Sequence, residues 1–257
     1  MNLRFTVVSP MRKSEHRSAL KEFKKRLVFS KGPELSYDDA FYDSLEDVYL
    51  KYDRWTQLRM AQVLKMVQPQ KGDAILDLGC AGGATAHFCY RFGAEVTGVD
   101  ISPLAIKRAK ELFSYTDIQF LERDVSSLYD IGDECFNKVV ATDLVEHINQ
   151  DIFEGMVKES YRILKNGGSL SIYTPNPDHF IERMKARNFV LKQNPTHIDI
   201  KTMDKIVATL TRYHFRIEMA YYTTSYFPIL KCLEFALKPL PLLGNIFRYR
   251  ICVKGVK

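Results

Sequence analysis

The sequence predicts an α/β fold: one seven-stranded sheet, mostly parallel with one antiparallel closing strand, carrying helices on both faces. Three observations predict it. Between residues 74 and 174 short apolar runs alternate with longer helical patterns, a glycine-rich turn follows the first run, and acidic residues stand at the ends of successive runs. The 257 residues, 46% of them hydrophobic, suit one large domain with an appended segment and a sizeable core.

Taken in order, apolar residues at Tyr49, Tyr52, Trp55, Leu58, Met60, Ala61, Leu64 and Met66 keep helical spacing over Tyr49 to Val67, and Pro69 to Gly72 ends that helix. Strands are expected at Ala74–Leu78, Glu95–Val99, Ile118–Glu122, Lys138–Thr142 and Ser169–Thr174. Helices are expected at Ala84–Phe92, Pro103–Phe113 and Gln150–Leu164, with a shorter connection after Asp124. Beyond Pro175 a proline-containing segment leads to a helix at Thr202–Tyr213, a strand at Phe215–Tyr222 and a last strand at Tyr249–Val253. The domain reading is an N-terminal helical cap or substrate segment over 1–70 and a core over 71–257, with an apolar insertion at 223–248.

Composition narrows the function classes. The five cysteines are odd in number and lack zinc-finger spacing, which fits a reducing compartment and a cytoplasmic protein. Met1 to Pro10 offers too short an apolar run for a signal peptide. The net charge of +6 is concentrated near both ends, a pattern of either ordinary solvated charge or attraction to anionic partners. Tyr226 to Phe247 is apolar but broken by Lys231, Glu234, Lys238, Pro239 and Pro241, so it does not span a membrane. It either packs on the sheet and roofs a cleft, or lies at a membrane surface or against a lipid-like substrate.

The turn Gly79-Cys80-Ala81-Gly82-Gly83 sits where a parallel strand ends and a helix begins, the place where such sheets bind ligands. Glycine there permits positive φ and close backbone approach, and the helix N-terminus offers unpaired N–H groups to a carboxylate. Asp100 ends the second strand, positioned for ribose hydroxyls, and Asp124 follows the third, positioned for an adenine amine; each could instead cap a local turn.

These residues resemble the class I S-adenosylmethionine-dependent methyltransferases over about residues 40 to 257, a Rossmann-like family. Ile75-Leu-Asp-Leu-Gly-Cys-Ala-Gly-Gly83, Val99-Asp-Ile-Ser102, Ala141-Thr-Asp-Leu-Val-Glu-His-Ile148 and Tyr161-Arg-Ile-Leu-Lys-Asn-Gly-Gly168 are similar to its motifs. The motif style is that of ubiquinone-pathway small-molecule O-methyltransferases. The resemblance implies S-adenosylmethionine as cofactor, with Asp77 and Gly79 near its methionine part, Cys80, Ala81 and Gly83 also in the cofactor-binding set, Asp100 on the ribose, and Ile101, Asp124 and Val125 around the adenine. It places Thr142 beside the sulfonium. Ala81 departs from the family's usual glycine, and Asn166 from its usual proline. The spacing of Gly79, Gly82 and Gly83 is not the G-x-G-x-x-G of nicotinamide-binding folds.

Methyl transfer from a sulfonium is mainly a matter of positioning, but a hydroxyl acceptor must also lose its proton. His147, Asp143 and Glu146, just after the fourth strand, are the catalytic candidates. Asp143, Glu146, His147 and His197 could together take a divalent cation, as related arrangements do in ubiquinone-pathway and small-RNA 2′-O-methyltransferases, although no metal is expected. The expected acceptor is a small or lipid-like hydroxyl compound handled in the cytoplasm, with peripheral membrane contact through 226–247. Nucleic acid is not an expected partner, since no basic-aromatic module is added to the domain. The alternatives are an RNA 2′-O-methyltransferase-like enzyme and a catalytically silent cofactor-binding or membrane-surface protein.

Overall fold

In a computed structural model, which describes residues 54–187, 196–225 and 244–257, strands form at the apolar runs. Helix α1 (Arg54–Val67) precedes β1 (Ala74–Leu78), α2 (Ala84–Tyr90), β2 (Glu95–Asp100), α3 (Pro103–Leu112), β3 (Gln119–Glu122) and β4 (Phe136–Thr142). Then follow α4 (Gln150–Ile163), β5 (Leu164–Pro175), α5 (Phe180–Ala186), α6 (Met203–Arg212), β6 (Arg216–Tyr222) and β7 (Arg250–Val256). Residues 49–53 of the expected first helix, most of the expected 1–70 segment, and 226–243 of the apolar segment lie outside the described residues.

The seven strands lie in the order β3-β2-β1-β4-β5-β7-β6. β1 to β5 pair in parallel, and β7 inserts antiparallel between β5 and β6. The antiparallel member is therefore the last strand. Its pairing runs from Ser169 opposite Val256 to Pro175 opposite Arg250, which brings Arg250 to the carboxyl edge of the sheet. Chain order reverses between β1 and β4, and that switch point opens the crevice where ligands of such sheets bind.

Strand residues alternate between two cores, as the two-residue period of a strand requires. Leu76, Leu78, Val139, Ala141, Leu170 and Ile172 join Phe153 and Met156 of α4 and Ile206 and Leu210 of α6. Ile75, Val140 and Tyr173 join Met60 and Val63 of α1, Ala86 and Cys89 of α2, and Ile106 and Ala109 of α3. Helices thus cover both faces, which is why the inner strands read as unbroken apolar runs. The helix starts are set by caps. The side chains of Ser102, Asn149 and Thr202 accept from the N–H of Ala105, Ile152 and Lys205, and Pro103 supplies the fixed φ suited to a first turn.

Two elements depart from the expected pattern. β5 begins at Leu164 rather than Ser169, because Leu164 pairs with Phe136 and Gly168 bonds to Lys257, folding the glycine turn into the strand. Helix α5 forms where an irregular proline segment was expected, capped by His179 accepting from Ile181 N–H.

Candidate active site

The glycine turn is fixed by close packing and by one carboxylate. Gly79 and Gly83 have φ of 65° and 83°. A Cβ on Gly83 would lie 2.7 Å from the Phe120 ring, and one on Gly79 would lie 2.6 Å from Leu144 Cδ1. Cys80 N–H donates to Val99 O at 2.9 Å, and its side chain is buried behind the turn in the α2–α3 core, so only its backbone serves the crevice. Ala81 takes a left-handed φ of 44° despite its Cβ and donates its N–H to Asp100 Oδ2 at 3.0 Å. Asp100 Oδ1 accepts from Ser102 N–H at 2.9 Å. One aspartate therefore ties the turn to the start of α3 while remaining at the strand end. Burial raises its pKa against these N–H bonds.

Asp77 is 1% exposed and accepts from Ala86 N–H at 3.0 Å; burial pushes its pKa up to about 8. Asp124 Oδ1 accepts from the N–H and hydroxyl of Ser126, both at 2.8 Å, so it shapes the turn after β3. Val125 is buried, whereas Ile101 is 67% exposed, an apolar side chain held at the strand-end surface. Thr142 is buried, and its Oγ1 has no partner among the described residues.

The turn after β4 is built from side chains. Asp143 has φ of 51°, and its two oxygens accept from Arg59 at 2.9 Å and Arg250 at 2.6 Å. Burial opposes its charge, but the Arg250 and Arg59 guanidiniums outweigh burial and hold the carboxyl below the usual range. Asp143 is thus a tether between α1 and β7 rather than a base open to an acceptor. Val145–His147 forms a single 3₁₀ turn. Glu146 is buried and accepts from the Thr174 hydroxyl at 2.9 Å; burial, then the Asp143 charge, raises its pKa.

The structure brings Glu146, His147 and His197 together, with one donor atom from each within 4.8 Å of the others. Asp143 is not in that cluster. The imidazoles of His147 and His197 meet edge to face at 4.8 Å. His147 Nδ1 lies 3.0 Å from Thr196 O. A carbonyl only accepts, so Nδ1 carries the proton and Nε2 the lone pair. Burial lowers the pKa of His147, and burial followed by His147 lowers that of His197 to about 4. Both rings are neutral at pH 7, the form that ligates a cation or accepts a proton.

Sequence reading missed Arg59, Arg250, Glu182 and Lys201. Arg250 left a signal: an arginine inside Tyr-Arg-Ile-Cys-Val interrupts a buried strand and calls for a buried partner. Glu182 is buried, and both its Oε2 and His197 Nδ1 are without partners among the described residues.

Comparison with known proteins bears on the domain and its fold. Residues 75–168 match the family described as "Methyltransferase domain". That match, the curated relatives and the shared fold support a class I S-adenosylmethionine-dependent methyltransferase. Among its relatives is the mitochondrial ubiquinone biosynthesis O-methyltransferase of Mus musculus, 33% identical over 138 residues, 52% of this chain and 37% of that protein. Another is the ubiquinone biosynthesis O-methyltransferase of Pectobacterium atrosepticum, 27% identical over 61% of this chain and 66% of that one. The alignments thus span 37% of the mouse protein and 54% of the Pseudomonas entomophila relative. A solved S-adenosylmethionine-dependent methyltransferase from Archaeoglobus fulgidus shares the fold, with a TM-score of 0.67 at 19% identity, covering 84% of this chain and all of that one.

S-adenosylmethionine is the cofactor of this class, and the residues present fit it. Asp100 stands at the end of β2, Ile101 offers an exposed apolar face, and Thr142 Oγ1 has no protein partner among the described residues.

Proposed function

We propose that this chain transfers the methyl group of S-adenosylmethionine to a hydroxyl oxygen of a small or lipid-like molecule. The observation that carries the oxygen acceptor is the meeting of Glu146, His147 and His197, one donor atom from each within 4.8 Å of the others. The names of the O-methyltransferase relatives support the same reading. In it, Gly79, Cys80, Ala81 and Gly83 present backbone to the methionine part, with Asp77 behind them. Asp100 takes the ribose hydroxyls, Ile101, Asp124 and Val125 surround the adenine, and Thr142 sits by the sulfur.

The acceptor oxygen attacks the methyl carbon in line, the carbon–sulfur bond breaks, and neutral S-adenosylhomocysteine leaves. His147 Nε2 is the lone-pair nitrogen placed to take the hydroxyl proton. Glu146, with Thr174 fixing its carboxylate, and His197 orient that oxygen. The donor set of one carboxylate and two neutral imidazoles also suits a divalent cation, which would lower the acceptor's pKa. Such a cation would be held by Glu146, His147 and His197, and with His147 Nε2 then a ligand the acceptor's proton would leave to solvent. Asp143 acts as a positioning residue through Arg59 and Arg250.

Residues preceding β1 and those from 175 to 247 form the acceptor site in this reading, and 226–247 supply contact with a membrane or lipid tail. No helix among the described residues is long and apolar enough to cross a membrane.

The test is transfer of labelled methyl from S-adenosylmethionine to fractions of a cell extract, with and without chelator. Label on an oxygen of a small or lipid-like product is expected; loss on chelation, restored by Mn2+, Zn2+ or Mg2+, would put the cation in the site. Chelation-insensitive turnover would remove the cation and leave His147 as the base. Cofactor binding without turnover on any fraction would contradict the enzyme reading.

A further inference from the structure

Lys201 is wholly buried, yet its ammonium has a complete set of acceptors. It donates to the carbonyls of Val145 at 2.8 Å, Ile148 at 2.6 Å and Asp199 at 3.1 Å. Asp199 Oδ2 lies 3.3 Å away, and the Phe153 ring centroid 5.2 Å away. Removing an ammonium from water costs several kcal/mol unless its hydrogen bonds are replaced, so the fold holds this charge in place by those carbonyls.

The carbonyls belong to two distant segments of chain. Val145 and Ile148 bracket Glu146 and His147, while Asp199 lies two residues past His197. Other bonds run between the same segments. The N–H groups of Ile198 and Asp199 donate to Glu146 O at 3.0 and 3.3 Å, and His147 Nδ1 donates to Thr196 O. These bonds hold the backbones edge to edge. Lys201 is the one side chain in this set that grips both ends of the 3₁₀ turn and the His197 segment with a single charged group.

We infer that Lys201 is a positioning residue that sets the spacing of the Glu146, His147 and His197 donor atoms. It does so by locking the turn of the first two against the segment carrying the third. The inference rests on the proposed role of that cluster. Lys201 touches neither acceptor nor cofactor in this account; its effect is transmitted through backbone carbonyls, as outer partners orient ligating groups elsewhere.

Lys201→Met keeps the side-chain volume and removes the charge, and Lys201→Ala leaves room for added ethylammonium. Folding is followed by S-adenosylhomocysteine affinity, expected within twofold of wild type. Two readouts report position: the imidazole nitrogen NMR signals of His147, and the affinity for Mn2+ alone. Wild type should show His147 as a single tautomer protonated at Nδ1, and bind Mn2+. Lys201→Met should show averaged tautomers and roughly 10–100-fold weaker Mn2+ binding, and ethylammonium should recover part of both in Lys201→Ala. A Lys201→Met protein with wild-type His147 signals and Mn2+ affinity would overturn the inference. So would loss of S-adenosylhomocysteine binding in both variants, which would make Lys201 a residue of the whole fold. If wild type binds no Mn2+ while Lys201→Met still shifts the His147 signals, the cation reading fails and the positioning role stands.

Discussion

The two sides of the crevice are built by different means. The β1–β2 side is made from backbone and near neighbours: a glycine turn, and Asp100 binding the N–H of residues 19 and 2 positions away. The β4 side is made from side chains brought in from far along the chain. Arg59 lies 84 residues from Asp143, Arg250 lies 107 away, and Lys201 lies 56 from Val145. A ligand common to a whole class can be held by local geometry. A site particular to one acceptor needs groups that the topology alone can assemble.

The largest expected effect tests the long-range side. Asp143→Ala leaves two partly buried guanidiniums without their carboxylate, which should lower stability by about 3 kcal/mol. Denaturant titration measures it. If the two sides are separable, S-adenosylhomocysteine affinity stays within about threefold; loss of binding would break the comparison. Asp100→Ala probes the local side. It strands the Ala81 and Ser102 N–H groups and removes the proposed ribose partner, so S-adenosylhomocysteine should bind about 100-fold more weakly, close to 3 kcal/mol.

A smaller effect comes from Asp77. Its folded pKa of about 8 exceeds the ordinary 3.8, so the folded protein holds a proton that the unfolded chain releases. Its contribution to stability is full below about pH 4 and is lost as pH rises towards 8. The Asp77→Asn variant, which cannot titrate, should show a flatter profile over that range, the difference exceeding about 1 kcal/mol. Identical profiles would place the proton elsewhere. The smallest effect is at Ala81, whose left-handed φ strains a residue with a Cβ. Ala81→Gly should raise stability by about 0.5 kcal/mol, the relief of strain exceeding the added freedom of the unfolded chain.

What could be read from the sequence follows the same division. The parallel strands, the glycine turn and the strand-end acids are contiguous patterns, and their elements form within a few residues of expectation. The meeting of Glu146, His147 and His197 was also expected, with Asp143 as a fourth member. Asp143 instead faces two arginines, because β7 runs antiparallel and starts at the carboxyl edge, delivering Arg250 to it. Nothing near Lys201 in the sequence marks it; its partners are backbone carbonyls, which carry no residue identity. Helix α5 was hidden behind Pro175 and Pro177, with seven residues too few to show a helical period.

The central claim is that the glycine turn and Asp100 form the S-adenosylmethionine site. Calorimetric titration of the wild-type chain with S-adenosylmethionine and S-adenosylhomocysteine tests it most directly. One equivalent of each should bind, with both affinities falling together in Asp100→Ala and little changed in Asp143→Ala. Failure of the wild type to bind either ligand would contradict it.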